Sequence, residues 1–361
     1  MRRLVLIAVL LAAGCGGDSA PPSPRAAPVA TPPPAPEPPS PRRPRTVRLT
    51  IGVSGDLLPH LPVVARAQAL AGGAGYDFAP MFRRIRPWVR RNDLALCHVE
   101  TPLTPGPPAG YPVFSSPPAL ARAIRRTGWD ACSTASNHTV DRGQAGVDAT
   151  LRALARAGVR HTGSYASRRG RRRVLMLRRR GVRIAFLSYT VSTNGIPPPH
   201  PWSVNLADPG RILRDARRAR RTGARVVVVN LHWGTEYRHA PDAQQLALAR
   251  RLARSRAITA LVGQHAHVVQ PIRRLRSRWV VFGTGNLLSN QTSPPATQDG
   301  VLVRLHVRVR GHRARVERIR YTPTWVRRPD YTILRAGHSN RESWRRTVGV
   351  IGRARGLAPV P

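Results

Sequence analysis

The sequence predicts an α/β protein with a buried sheet. Short apolar runs alternate with segments of helical period between residues 47 and 282. Most of the runs are nearly continuous in Val, Ile, Leu and Ala, as strands covered on both faces are. Several helical segments stop at a glycine, the residue that best admits the left-handed turn closing a helix.

Taken in order, Val47–Val53 alternates and reads as a strand ending in Ser54-Gly55-Asp56. Asp93–Cys97 ends in His98-Val99-Glu100, and Asp130–Thr134 in Ala135-Ser136-Asn137-His138. Ile184–Tyr189 leads to Thr190 and Asn194. Arg225–Leu231 carries four consecutive valines before His232-Trp233-Gly234. Ile258–Val262 precedes Gly263, His265 and His267, and Trp279–Phe282 ends in Gly283-Thr284-Gly285-Asn286. Helical periods fill the gaps. Pro118–Thr127 aligns Leu120 and Ile124, and Gly146–Ala157 aligns Val147, Leu151 and Leu154 before Gly158. Arg211–Thr222 aligns Ile212, Leu213, Ala216 and Ala219 before Gly223, and Gln244–Ser255 aligns Leu248 and Leu252. Val301–Val309 and Val316–Tyr321 read as a β-hairpin around Gly311, and Arg341–Gly352 as a short helix. The arginine runs 168–173 and 178–180 flank Val174–Leu177, which reads as an exposed hairpin. Gly72-Gly73-Ala74-Gly75 lacks the Lys-Ser/Thr of a phosphate loop and reads as a flexible turn. With no Gly-x-Ser-x-Gly elbow, a serine hydrolase has no support.

The charge is extreme. Lys+Arg number 60 against 17 Asp+Glu, a formal net charge of +43, and every one of the 60 is arginine. Arginine without lysine, beside abundant Ala, Gly and Pro, reads as a codon bias toward G and C. The arginines are scattered and not interleaved with aromatics, so no dedicated nucleic-acid site is expected. Such a surface still attracts polyanions at low salt.

Residues 1–15 read as a targeting segment: Arg2 and Arg3, then the apolar run Leu4–Ala13, then Gly14-Cys15. Small residues before Cys15 resemble a bacterial lipobox, with Ala12 where leucine is usual. That expects lipidation at Cys15 and an extracytoplasmic protein held at the cytoplasmic membrane; a plain signal peptide with secretion, or an uncleaved anchor, are the alternatives. Residues 16–45, rich in Pro, Ala and Ser, read as a tether of disordered or polyproline type. Residues 46–335 form the expected domain and 336–361 a tail. Cys97 and Cys132 lie near the ends of strands that can be neighbours. Either they bridge, which export permits, or they are buried thiols.

Ligands of open α/β sheets bind beyond the carboxyl ends of the strands. Asp56, His98, Glu100, Asn137, His138, His232, His265, His267 and Asn286 all fall there, and His60 follows Asp56 by four residues. Six of the 12 histidines belong to this set. In an extended segment His265 and His267 point the same way. Singly, each residue has an ordinary explanation as a turn, cap or packing residue; jointly they point to a site. Imidazole, carboxylate and amide together suit Mn, Fe or Zn and not calcium. So many ligand types expect two divalent ions sharing a carboxylate or water. Glu236 reads as a support or substrate contact, and Trp233 and Tyr237 as walls of the cleft.

The chain resembles the bacterial poly-γ-glutamate capsule-synthesis proteins of the CapA type, whose domain looks like the calcineurin-type metallophosphatases. The resemblance is carried by Gly55–His60, Tyr76–Phe78, Pro80–Phe82, Asp93–Thr104, Tyr111–Pro117, Ser133–Gly143, Thr162–Tyr165, Tyr189–Pro197, Asn230–Tyr237, Gly263–Pro271 and Gly285–Gln291. It implies an α/β/β/α sandwich with a mixed β-sheet core. It also implies metal-site roles for Asp56, Glu100, Asn137, His232, His265 and His267. His138 falls where related phosphatases assist the leaving group or orient the phosphate, with Asn137 beside it. His60, His98, Glu236 and Asn286 are the further candidates for ligands or supports. Family members commonly read Asn-Leu-Glu where this chain has His98-Val99-Glu100, and the short Asp-x-His of ordinary metallophosphatases is absent. The implied function is synthesis or export of an anionic capsule polymer, poly-γ-glutamate or similar, within a multi-protein assembly. A non-catalytic polyanion-binding surface protein, or a metal-dependent phosphodiesterase unrelated to capsule, are the alternatives.

Overall fold

The computed structural model describes residues 45–361 together with Gly17. Cys15 and the targeting segment lie outside the described residues, as does the expected tether apart from Gly17 and Arg45. Residues 44–361 form one unit. Among the described residues, no helix is long and apolar enough to cross a membrane.

The first sheet begins with β1 (Thr46–Leu57). Helices α1 (Leu61–Leu70), α2 (Ala79–Phe82) and α3 (Arg86–Arg90) lead to β2 (Leu94–Val99). α4 (Ala119–Thr127) leads to β3 (Ala131–Ser133), and α5 (Gly143–Arg156) to β4 (Arg160–Thr162). After α6 (Arg168–Arg171) the chain builds a second sheet from β5 (Leu175–Arg179), β6 (Val182–Thr190), α7 (Pro209–Arg221), β7 (Val226–His232), α8 (Ala243–Ala253), β8 (Ala260–Gln264), β9 (Ile272–Leu275) and β10 (Arg278–Val281). It then returns to the first sheet with β11 (Asn286–Leu288), β12 (Asp299–Arg310), β13 (Arg313–Arg327) and β14 (Thr332–Arg335). α9 (Ala336–Ser339), α10 (Arg341–Ile351) and β15 (Leu357–Pro359) finish the chain. Strand order is β14-β13-β12-β1-β2-β3-β4, with β11 on β1 and β15 on β13, in one sheet, and β5-β6-β7-β8-β10-β9 in the other. In each, a parallel centre carries antiparallel neighbours.

The valine run of β7 shows why two sheets form. Val226 and Val228 enter the core between the sheets with Ile51, Val53, Leu94 and Leu96. Val227 and Val229 face the opposite way, onto Ile212 and Ala216 of α7 and Leu248 and Leu252 of α8. A strand buried on both faces has no solvent side, so it shows no alternation. The outer face of the first sheet packs on α1–α5 through Val63, Phe82, Leu120, Ile124 and Leu154. The result is the four-layer α/β/β/α sandwich. Each fully buried Val or Leu adds roughly 1.5–3 kcal/mol relative to exposure.

Local chemistry agrees with this placement. Asp208 caps α7 by accepting from the Arg211 amide, and Asp242 and Gln245 form a capping box on α8. Of the two readings of the cysteines, the structure has the bridge: Cys97 and Cys132 are register partners on β2 and β3 and are disulfide-bonded. The hairpin expected around Val174–Leu177 forms as β5–β6, but it is not simply exposed: Leu175 and Leu177 are buried between the sheets. Charged flanks at 178–180 concealed that the apolar residues between them have a core face. The C-terminal stretch forms the expected helix as α10, and β15 adds a strand to the first sheet.

Candidate metal centre

The parallel strands of both sheets deliver their carboxyl ends to one rim. Asp56, near the end of β1, has His98 of β2 and Asn286 of β11 as register neighbours. Glu100 follows β2, and Asn137 and His138 follow β3. His232 ends β7, and His265 and His267 follow β8. Gly263 lets the last strand come close: a Cβ there would lie 1.7 Å from the Phe282 carbonyl oxygen and 2.4 Å from Trp233 Nε1. Gln264 ties the sheets together, donating through Nε2 to the Ser54 carbonyl at 3.0 Å.

The histidine pair reaches the cluster by a route other than the pleat. His265 and His267 have φ of +92° and +54°, so the segment is a left-handed turn and not extended. Such backbone is unusual for residues with a side chain and concentrates at functional sites. The two rings still converge, 6.0 Å apart, because the His265 amide donates to Asp56 Oδ2 at 3.1 Å and pins the turn to the first sheet.

Potential ligand atoms within 4.8 Å of one another form two groups that share a residue: Asp56–Glu100–His267 and Glu100–His232–His265. Two further groups, Asp56–His98–His232 and Glu236–His265–His267, overlap them. Glu100 Oε1 lies 3.6 Å from His267 Nε2 and 3.8 Å from His232 Nε2. Asn137 Oδ1 lies beside the second group, 2.8 Å from His232 Nε2.

Hydrogen bonding fixes which imidazole nitrogens are free. Ser133 Oγ donates to the Cys97 carbonyl, so the His98 Nδ1–H donates to Ser133 at 2.8 Å. His98 Nε2 then carries a lone pair and has no partner. Asn286 spends its amide hydrogens on Gln291 and the Thr297 carbonyl, so its Oδ1 accepts from His267 Nδ1 at 3.1 Å and turns Nε2 toward Glu100. Asn286 thus orients the His267 ring, an arrangement common around metal-binding histidines.

Burial dominates the electrostatics. It pushes Asp56 up to about 8, against the His265 amide, which lowers it, and with Glu236, which raises it. Burial, then Asp56 and Glu236, hold Glu100 well above the usual carboxylate range. Burial first, and neighbouring imidazoles second, lower His98 to about 3 and His265 to about 4 and hold His232 well below its ordinary value. His267 is lowered to about 4 by burial, opposed by its bond to Asn286. Imidazoles kept neutral and carboxylates short of counter-charge are what a cation requires.

A family model described as bacterial capsule synthesis protein PGA_cap matches residues 50–291. The chain belongs to this family. It is 25% identical over 276 residues to the capsule biosynthesis protein CapA of Bacillus anthracis, covering 73% of this chain and 65% of that one. It is 29% identical over 193 residues to the PGA biosynthesis protein CapA of Bacillus subtilis strain 168, covering 53% and 50%. The chain therefore spans about half to two thirds of the length of these curated relatives. The calcineurin-like phosphoesterase YfkN of Bacillus subtilis shares the fold, with a TM-score of 0.50 and 14% identity over 84% of this chain and 98% of that one.

In this member of the family the donor set fits divalent metal. Asp56 Oδ1, His98 Nε2, both Glu100 oxygens, His232 Nδ1 and His265 Nδ1 are buried and lack any hydrogen-bond partner. Leaving buried polar atoms unpaired costs about 1–3 kcal/mol each, and a shared cation relieves that cost.

His138 stands beside the groups. Its Nδ1 donates to Asp141 Oδ2 at 2.8 Å, and the same oxygen accepts from the Phe114 amide at 2.7 Å. Sequence reading missed Asp141 as its partner, although the spacing of three residues in Ser133–Gly143 was visible. His60 lies outside the metal-capable groups: its Nδ1 faces the Leu58 carbonyl and the Asn290 amide, and its ring meets Phe114 edge-on. Glu236 is the half-exposed member of its group. Trp233 does not wall the cleft; it is buried, donates to the Phe282 carbonyl and stacks on Phe282. Tyr237 does lie at the cleft, 42% exposed, with its ring 6.1 Å from that of His267.

Proposed function

We propose that the protein acts in synthesis or export of an anionic capsule polymer, poly-γ-glutamate or similar, through a metal-dependent, hydrolase-like site. In this reading it works outside the cytoplasmic membrane, anchored through lipid on Cys15. The observation that carries the site is the pair of ligand groups sharing Glu100. Asp56, Glu100 and His267 would hold one divalent ion, and Glu100, Asn137, His232 and His265 the other, with Mn, Fe or Zn matching the donors. When bound, such a pair supplies Lewis acidity toward a water and toward the oxygens of a phosphoester or an amide.

The protein's own residues do the rest. His138, held through Nδ1 by Asp141, presents Nε2 to give a proton to the leaving group or a hydrogen bond that orients the substrate. Asn137 donates through Nδ2 to Asn194 at 3.2 Å, which fixes its Oδ1 toward His232. Glu236 and Tyr237, partly exposed, are placed to meet substrate.

The test is elemental analysis of the purified protein. The expected result is bound Mn, Fe or Zn in the wild type and loss of nearly all of it in His265→Ala/His267→Ala. A wild type without these metals, unchanged by the double substitution, removes the metal site. A second reading, a non-catalytic polyanion-binding surface protein, rests on the net charge of +43. Metal-loaded protein silent on phosphomonoesters, phosphodiesters and polyglutamate would favour it.

A further inference from the structure

The amino ends of the parallel strands, at the opposite end of the sandwich from the metal-capable groups, border an open cavity of about 770 Å³. Arg45, Arg180, Arg183, Arg220, Arg221 and Arg225 line it, with His312, and no Asp or Glu does. Arg45 precedes β1, whose far end carries Asp56, and Arg225 precedes β7, whose far end is His232. At the rise of a strand the cavity is roughly 25 to 35 Å from the cluster, so it is no subsite for a small substrate reacting there.

An excess of arginine alone means little in this sequence. This cavity differs in its lack of carboxylates and in how several of its arginines are held. In the neighbouring surface depression Asp93 and Glu317 stand among the arginines and pair with Arg180 and Arg308. In the cavity only Arg180 has a carboxylate partner among the described residues. Three of the others, Arg183, Arg220 and Arg225, are held by neutral oxygens. Arg183 Nη1 donates to the Thr222 carbonyl at 3.0 Å, Arg220 to the Ala257 carbonyl at 2.8 Å and Thr259 Oγ1 at 3.1 Å, and Arg225 to the Gly311 carbonyl. Gly223, with φ of +94°, leaves the seat for Arg183: a Cβ there would lie 2.8 Å from Arg183 Nη1. Arg220 and Arg225 are half-buried. Burial, then Arg278 and Arg225, lower Arg220 to about 10. Guanidinium groups gathered without a carboxylate among them, three of them fixed in place and two of those half-buried, form a receptor for an anion with several oxygens.

We propose that this cavity docks the protein on a membrane surface by taking the phosphate of anionic phospholipid headgroups. Two observations favour a membrane over a soluble polymer. Arg45, one wall of the cavity, is where residues 1–44 join the domain, and those residues begin with Arg2, Arg3 and the apolar run Leu4–Ala13. The cavity also offers apolar surface from Val47, Val182 and Val309 beside the arginines, which suits a headgroup that carries acyl chains better than a polymer of carboxylates. Docked this way, the metal-capable rim faces away from the bilayer.

The experiment is co-sedimentation of the full chain with vesicles of phosphatidylcholine alone or mixed with phosphatidylglycerol, at low and high salt. Wild type should bind the anionic vesicles more tightly, and less so in high salt. Arg45→Gln/Arg183→Gln/Arg221→Gln should weaken that binding roughly a hundredfold, about fivefold for each arginine near an anionic surface. The matching lysine variant, which keeps the charge, should retain most of it. Arg83→Gln/Arg84→Gln/Arg86→Gln, which removes the same charge from an exposed region outside the cavity, should have far less effect. Equal losses in the two glutamine variants would reduce the effect to net charge and overturn the proposal. So would binding indifferent to phosphatidylglycerol, which marks insertion of the N-terminal segment alone. Capture of soluble polyglutamate by the cavity with no vesicle binding would overturn it too. None of these readouts depends on metal or hydrolysis, so the outcome stands apart from that of the proposed function.

Discussion

The two sheets bring different chemistry to the rim. The first supplies both fully buried carboxylates, Asp56 and Glu100, together with Asn137 and His98. The second supplies the imidazoles His232, His265 and His267, with the half-exposed Glu236 beside them. Each of the two groups sharing Glu100 draws on both sheets. Docking the sheets completes the ligand set, and the Gln264–Ser54 and His265–Asp56 hydrogen bonds are where that docking reaches the rim.

The largest effect should come from the residue on which the two groups depend. Glu100→Gln is expected to abolish most bound metal, whereas Asp56→Asn should leave about half, since it belongs to only one of the two proposed ion sites; metal-to-protein ratios decide it. Equal losses would mean the groups do not divide at Glu100. Next is Asn286→Ala, which keeps every ligand but frees the His267 ring; metal affinity should fall roughly 10–100-fold, as measured by competition with a chelator. A smaller change is expected from His98→Asn, which installs the residue usual in the family. Cobalt-substituted protein should keep its metal content while its visible spectrum shifts, because an unpartnered Nε2 has been withdrawn. An unchanged spectrum would take His98 out of the ion's surroundings.

The smallest effect contrasts the rim with a buried imidazole elsewhere. His161 on β4 is lowered to about 4, by burial first and by Arg160 second. An unfolded histidine protonates near 6.5. Its contribution to stability is therefore complete above about pH 6.5 and falls as pH drops toward about 4. In thermal melts over that window, His161→Gln should show a shallower loss than wild type.

Much of this was legible in the sequence. The strand–helix alternation, the hairpin around Gly311 and the strand-end positions of Asp56, Glu100, His232, His265 and His267 could all be read directly. Less accessible was anything set by contacts between distant segments. Trp233 reads as a cleft wall because it adjoins His232, yet alternation along the strand turns it into the core behind. His60 reads as a further ligand or support because it lies near Asp56; the structure puts it past the strand end, facing the backbone of Leu58 and Asn290.

The sequence by itself determined the kinds of layer and the kinds of ligand. Hydrophobic period and residue type are local properties, and they survive without knowledge of partners. Only the tertiary structure decided the pairing of Cys97 with Cys132, the left-handed turn that aims His265 and His267, the tautomer that frees His98 Nε2, and the sharing of Glu100. Each of these depends on atoms brought together from strands far apart in the chain, where the geometry is set by packing two sheets face to face.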